Sequence, residues 1–401
     1  MVGSARRLPG WSRRCRRRLR MQVSIRQCAA CLGLLAAGAG GALPARADFA
    51  PEEQSAGVLF HYFADLEGVQ VRSHYLAYGL DLGGHRLDIE FDHERVLIPA
   101  VQGTIGSQEA ADAITAASRP IAGAGDAFSD YTKIRNALQV GMALGPATIG
   151  LYRSEEVDYR ASQVSAGVAR DLLGEQLNLA LGASYGWDRI EPLRDEESPA
   201  PTDKNSLHFN LVATQILDPQ TVLRLGIEVN QMTGLQHNVY RAVYAGGQRL
   251  PELHPDMRRR EDLFIKLNRY LGERASLNAD YRYYRDDWQL DSHTLGLRLN
   301  QYLGEDLTVR YRYRYYSQSG AWFWAEEYAT TAGIDGYRSG DYRLGAFDAH
   351  LFGGRLEWAP AALAASFGWL REARLRLGYE RYFNTNAFAA NVFETGLSLT
   401  F

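Results

Sequence analysis

From residue 393 to the end of the chain, apolar and polar positions alternate without a break. Phe393, Thr395, Leu397, Leu399 and Phe401 fall on one face, and Glu394, Gly396, Ser398 and Thr400 on the other. A strand has a side-chain period of two, so one face is made for an apolar surround and the other for a polar one. The pattern recurs over residues 177–187, 207–213, 223–229, 277–283, 295–299, 307–315 and 375–379. Segments of about ten residues, apolar on one face and small or polar on the other, are the signature of a membrane-spanning β-barrel.

The connections fall into two sets. Residues 82–85, 145–146, 173–175, 217–220, 271–274 and 303–306 are short and hold Gly, Pro or Asp, which supply the backbone angles of tight turns. Residues 99–129, 188–204, 233–260 and 317–341 are long. Short turns at one rim and long loops at the other are the arrangement of a barrel whose short turns are periplasmic. Two connections depart from the alternation: 359–370 is long where a short turn is expected, and the one between Tyr283 and Leu295 is short. The count is sixteen strands, beginning with 57–65 and 69–82, or fourteen if that first hairpin lies outside the wall. Tyr270 and Tyr302 beside short turns, with Tyr185, Trp187, Tyr283, Trp288 and Tyr315 toward the long loops, are expected to form two interfacial girdles.

The start of the chain adds a location. Its first 47 residues hold ten Arg and no acid, with a basic segment, an apolar stretch over 29–43 and an Ala45-Arg46-Ala47 end. That is the order of a cleaved export signal, and the apolar stretch falls short of the ~20 residues of a spanning helix. We therefore expect a signal peptide over 1–47, a short periplasmic segment over 48–56 and a barrel over 57–401.

All three cysteines (Cys15, Cys28, Cys31) lie in the leader, which excludes disulfides, a thiol nucleophile and cysteine-ligated metal from the processed chain. Removing the ten leader arginines from the 44 Lys+Arg leaves 34 against 47 Asp+Glu. This balance is the wrong sign for a nucleic-acid binder.

Five stretches carry a family resemblance: 57–63 (GVLFHYF), 112–120 (DAITAASRP), 281–288 (YRYYRDDW), 291–294 (DSHT) and 309–322 (VRYRYRYYSQSGAW). The chain resembles a domain-of-unknown-function family of Gram-negative outer-membrane β-barrels. The resemblance covers nearly all of the processed chain. It implies an all-β, antiparallel up-and-down transmembrane barrel in the bacterial outer membrane, and it brings no activity and no catalytic residue.

The distinctive chemistry is an inward row of arginines. With Val309, Tyr311, Tyr313 and Tyr315 facing lipid, Arg310, Arg312 and Arg314 face the lumen. Asp280, Arg282, Arg298, Arg374, Arg376 and Glu380 join them by the same parity. Two roles are open: a ladder giving a pore anion preference, or cross-strand ion pairs that brace the wall. Catalytic groupings are weak. Ser292 and His293 point to opposite faces, His208 and Asn210 share the inward face with no partner serine singled out, and His237, Glu252, His254 and Asp256 match no metal motif. No cofactor, metal or catalytic residue is assigned.

The expected function is a porin-like channel for small, anionic solutes, narrowed by in-folded loops at 99–129 and 317–341. The alternatives are a plugged structural or partner-binding barrel and, last, a barrel hydrolase. Expected partners are outer-membrane lipid and lipopolysaccharide, with the barrel-assembly machinery engaging Phe393, Leu397, Leu399 and Phe401.

Overall fold

A computed structural model describes residues 53–66, 68–98, 131–193, 200–272, 274–330 and 336–401. The expected export signal and the expected 99–129 loop lie outside them. Sixteen of the eighteen strands close into one antiparallel barrel. In chain order its first half is β1 (Glu53–Asp65), β2 (Gln70–Leu82), β3 (His85–Ile98), β4 (Tyr131–Leu144), β5 (Ala147–Glu155), β6 (Tyr159–Leu172), β7 (Leu177–Ile190), β8 (Thr202–Asp218) and β9 (Thr221–Gly234). A two-stranded hairpin, β10 (Ala242–Ala245) and β11 (Gln248–Pro251), stands outside the wall. The wall resumes with β12 (Met257–Tyr270), β13 (Ala275–Asp286), β14 (Asp291–Leu303), β15 (Leu307–Gln318), β16 (Phe347–Trp358), β17 (Glu372–Asn384) and β18 (Ala389–Thr400). Strand β12 pairs directly with β9, so the hairpin is an insertion between wall neighbours.

The first hairpin is part of the wall, which decides for sixteen strands over fourteen. β1 begins at Glu53 rather than Gly57, and it pairs with β18 from Ser55↔Thr400 to Asp65↔Ala390. Closure leaves no strand edge among the sixteen, the condition for a sheet in hydrocarbon.

Alternation sets which face is which. On β14, Leu295 and Leu297 are exposed while Ser292, Thr294 and Asn300 are buried. The outer belt continues through Val58, Leu76, Leu138, Leu151, Leu181 and Phe393. Water would not stabilise so broad an apolar surface, whereas hydrocarbon suits it.

Turn chemistry explains the rims. Gly83 and Gly84 both have positive φ, 59 and 86, as a two-residue hairpin turn demands. The short connection after β13 is held by Asp286, whose Oδ1 accepts from the backbone N–H groups of Trp288 and Leu290, each at 3.0 Å. The long connection after β16 contains a short helix, α1 (Ala361–Ser366), and leads to exposed Phe367 and Trp369. Trp369 packs on Phe401, its ring centroid 6.1 Å away, which places aromatics at the short-turn rim.

Three girdle assignments need correction. Tyr270 and Tyr302 face the lumen, and Tyr302 bonds Ser276 across the inner wall at 2.9 Å. Trp288 is 3% exposed, packed against Leu290, Ala321, Phe323 and Leu344. The loop-side girdle holds at Tyr185 and Trp187, both exposed and stacked, and at Tyr283 and Tyr315, which bond Asp291 and Asp348.

Candidate functional site: the lumen wall and its mouth

The nine lumen residues named from the sequence all point inward, and most are paired. Arg282 bonds Asp262 (2.6 Å), Arg298 bonds Asp280 (2.9 Å), Arg312 bonds Glu380 (2.7 Å) and Arg374 bonds Glu372 (2.5 Å). Arg310 donates to Asn300 at 2.7 Å and lies 3.8 Å from Glu357. Arg376 sits 3.7 Å from both Glu357 and Glu394. Arg314 makes no ion pair among the described residues and leans over the Tyr316 ring, 6.0 Å from its centroid. The bracing role is therefore present along most of the row, and Arg314 is the exception. Small residues make the pairs possible: a Cβ on Gly296 would lie 2.5 Å from the Asp280 carboxylate, and one on Gly353 would lie 2.8 Å from Glu380.

The mouth is spanned by loop structure. Residues 235–256, between β9 and β12, include the β10–β11 hairpin and meet residues 319–330 and 336–346, between β15 and β16. Backbone bonds join Leu253 and Arg338 in both directions (3.1 and 2.8 Å), and Ala245 bridges Tyr328. Glu252, whose side chain is fully buried, accepts from Ser339 Oγ (2.8 Å) and the Gly340 backbone N–H (3.0 Å). Arg241 pairs with Asp341 at 2.6 Å. At its other end the same loop reaches the β5–β6 turn, where Tyr240 donates to Asp158 at 2.7 Å. In ring order β5 and β15 lie eight strands apart, half of the way round the sixteen. The loop is thus a strap across the mouth. Sequence reading nominated 317–341 to fold inward and missed that 235–256 does the crossing.

Beneath the strap is a cavity of about 490 Å³. Wall residues Arg258, Arg260, Arg282 and Arg314 and loop residue Arg343 face it, against one lining acid, Asp341. Arg258 is held by Asp286 (2.5 Å) and stacks on Trp288, 4.0 Å from the ring centroid. Burial opposes ionisation of Asp341, but Arg343 and Arg241 outweigh it and hold this carboxyl at about 2.

The catalytic and metal groupings separate. Ser292 is buried and His293 exposed on the opposite face, bonded to Tyr281. His208 lies 3.8 Å from Glu228, and the serine opposite it in register, Ser184, receives a bond from Gln163. His237, Glu252 and His254 do gather: His254 Nε2 is 3.5 Å from Glu252, and the two imidazoles are 5.8 Å apart. Burial, followed by the neighbouring His254, drives the His237 imidazole down to about 4. Among the described residues no group of three or more metal-ligating side chains is arranged to hold an ion.

Residues 100–362 match a family model described as protein of unknown function (DUF3570). The chain belongs to this family. A comparison with curated proteins finds no match. Among solved structures, the protein is similar to OccK5 (OpdH) of Pseudomonas aeruginosa at 11% identity, covering 87% of this chain and 97% of that one with a TM-score of 0.41. A loop-deletion mutant of OmpT, an outer membrane protein of Vibrio cholerae, gives 9% identity, 88% and 99% coverage and a TM-score of 0.42. The siderophore receptor PirA of Acinetobacter baumannii gives 12% identity, 82% and 52% coverage and a TM-score of 0.41.

Proposed function

We propose that this family member is a porin-like channel of the bacterial outer membrane, passing small solutes with a preference for anions, and that it is not an enzyme. The observation carrying this reading is the inner wall of β12–β18, a surface of charged and hydrogen-bonding side chains that requires water. A sixteen-strand wall is wide enough to hold that water, and the arginine excess around the mouth cavity favours anions entering it. Lipid and lipopolysaccharide would meet the apolar belt and the loop rim. The assembly machinery would meet Phe393, Leu397 and Leu399, which share the outward parity of the closing strand, and Phe401 just past its end.

A second reading, a plugged barrel with a structural or partner-binding role, is favoured by the strap, which crosses the mouth from Asp158 to Arg338. The two part in a planar bilayer. Folded protein, verified by heat-modifiable gel migration, should give stepwise conductance with an anion-selective reversal potential, and Arg312→Glu should move that potential toward cations. Silence from folded protein would remove the channel and leave the plug.

A further inference from the structure

Two inward cations at the β9–β12 seam, Arg224 and Lys266, are not braced like the others. In register, Arg224 on β9 stands directly opposite Lys266 on β12, both inward. Like charges placed directly opposite on neighbouring strands repel and destabilise the pair. Elsewhere in this wall a carboxylate resolves such contacts. Here none does: neither Arg224 nor Lys266 has an ion pair among the described residues, and Arg224 Nε is buried without a hydrogen-bond partner.

The carboxylate opposite Lys266 on the next strand is Asp280, and it is occupied by Arg298. Glu228, two inward positions from Arg224 along β9, is turned to His208 (3.8 Å) and Arg282 (3.9 Å). Continuing along the same level, Gly296 and then Arg314 follow on β14 and β15. The level thus carries Arg224, Lys266 and Arg314 against one acid that a fourth cation has claimed.

What holds the opposed pair is an aromatic ring. Phe264, 5% exposed, lies flat on the wall over Gly226, its partner in register. A Cβ on Gly226 would fall 2.3 Å from the ring, so only glycine admits it. Arg224 stands 5.8 Å from the ring centroid and Lys266 4.7 Å. A phenyl face attracts cations but does not neutralise them. The ring thus gathers both cations on one spot of the wall without supplying a counter-charge.

The geometry points to an anion-binding station at Arg224 and Lys266, set on the Phe264 ring, taking a small dianion of phosphate or short dicarboxylate chemistry. Two adjacent cations, neither closed by an ion pair, match two negative charges, and a guanidinium can take two oxygens side by side. This rests on the channel reading, because the station would slow and select a solute passing the lumen wall.

The test is isothermal titration of refolded full-length processed protein in detergent with inorganic phosphate, succinate and chloride. Phosphate or succinate should bind more tightly than chloride, and which of the two wins identifies the ligand chemistry. Arg224→Gln/Lys266→Gln should weaken that binding roughly tenfold or more, the loss expected when charge-assisted bonds are removed. Lys266→Arg should retain it. Gly226→Ala, which keeps both charges and displaces the ring, should weaken it too. Arg153→Gln on the outer face should leave it unchanged. Equal binding of all three anions, or unchanged binding in the double variant, overturns the station. Conductance with no station binding leaves the channel and removes the site. Binding without conductance leaves the site and removes the channel.

Discussion

The two sides of the lumen are built differently. On β12–β18 the inward positions are crowded with Arg, Asp and Glu in pairs such as Arg312–Glu380 and Arg355–Glu394. Through the middle of β4–β7 the inward positions are small: Gly141 opposes Gly150, Gly150 opposes Ser165, Ser165 opposes Ser184 and Gly167 opposes Gly182, while the charged Lys133, Arg135, Asp171 and Asp188 stand toward the strand ends. The first side is charged and filled by long side chains, while the second is smooth and leaves room. A solute would therefore be oriented by one side and accommodated by the other. At mid-height, charge and space are separated across the barrel.

The strap joins the two sides, so cutting it should give the largest effect. Glu252→Ala leaves the Ser339 hydroxyl and Gly340 N–H without their acceptor, at a cost of about 1–3 kcal/mol. Faster hydrogen exchange across 240–254 and larger conductance steps should follow, with the wall's unfolding in urea barely moved. Unchanged exchange would mean the strap does not depend on this knot.

A smaller effect is expected from filling the smooth side. No atom lies within 4 Å of a Cβ built on Gly141, so Gly141→Trp should enter the lumen without distorting the strand. Conductance should fall while the reversal potential stays in place. A shift in selectivity instead would show that the smooth side also discriminates charge.

The smallest effect is a pH dependence. His237 in the folded strap is held at about 4, below the ordinary 6.5, so the loosened strap binds the proton that the closed one refuses. The stabilisation is complete above about 6.5 and is lost as pH falls toward 4. Glu252, His254 and Arg338 face the same imidazole, and Glu252 opposes the shift. Strap exchange rates should rise in that window, and His237→Phe should flatten the profile.

Much of the fold was legible because alternation and turn chemistry are local. The strand count, the closing strand and the inward direction of Arg310, Arg312 and Arg314 all follow from parity. Parity also held information left unused. Tyr270 lies an odd number of residues from outward Ile265, and Tyr302 from outward Leu299, so both must face inward. Trp288 could not be read this way, since it stands in a turn and its burial depends on Phe323 and Leu344 from a distant loop. The strap and the Arg224–Lys266 opposition were hidden for a related reason. Both require knowing which residues meet across the inserted β10–β11 hairpin, and nothing local in the chain states that register.

The seam between β1 and β18 has a consequence for how the molecule is made. The Gln54 and Phe401 backbones bond each other in both directions at 2.9 Å, and Arg371 reaches Glu53 at 3.1 Å. These contacts join opposite ends of the described chain. The entropy of closing so long a loop grows only logarithmically, by about 0.6 kcal/mol per doubling, so the seam is thermodynamically modest. Kinetically it is severe, because it offers no reward until the intervening hairpins are in register. Contact order is therefore concentrated in one step, and both edge strands stay open until that step is taken.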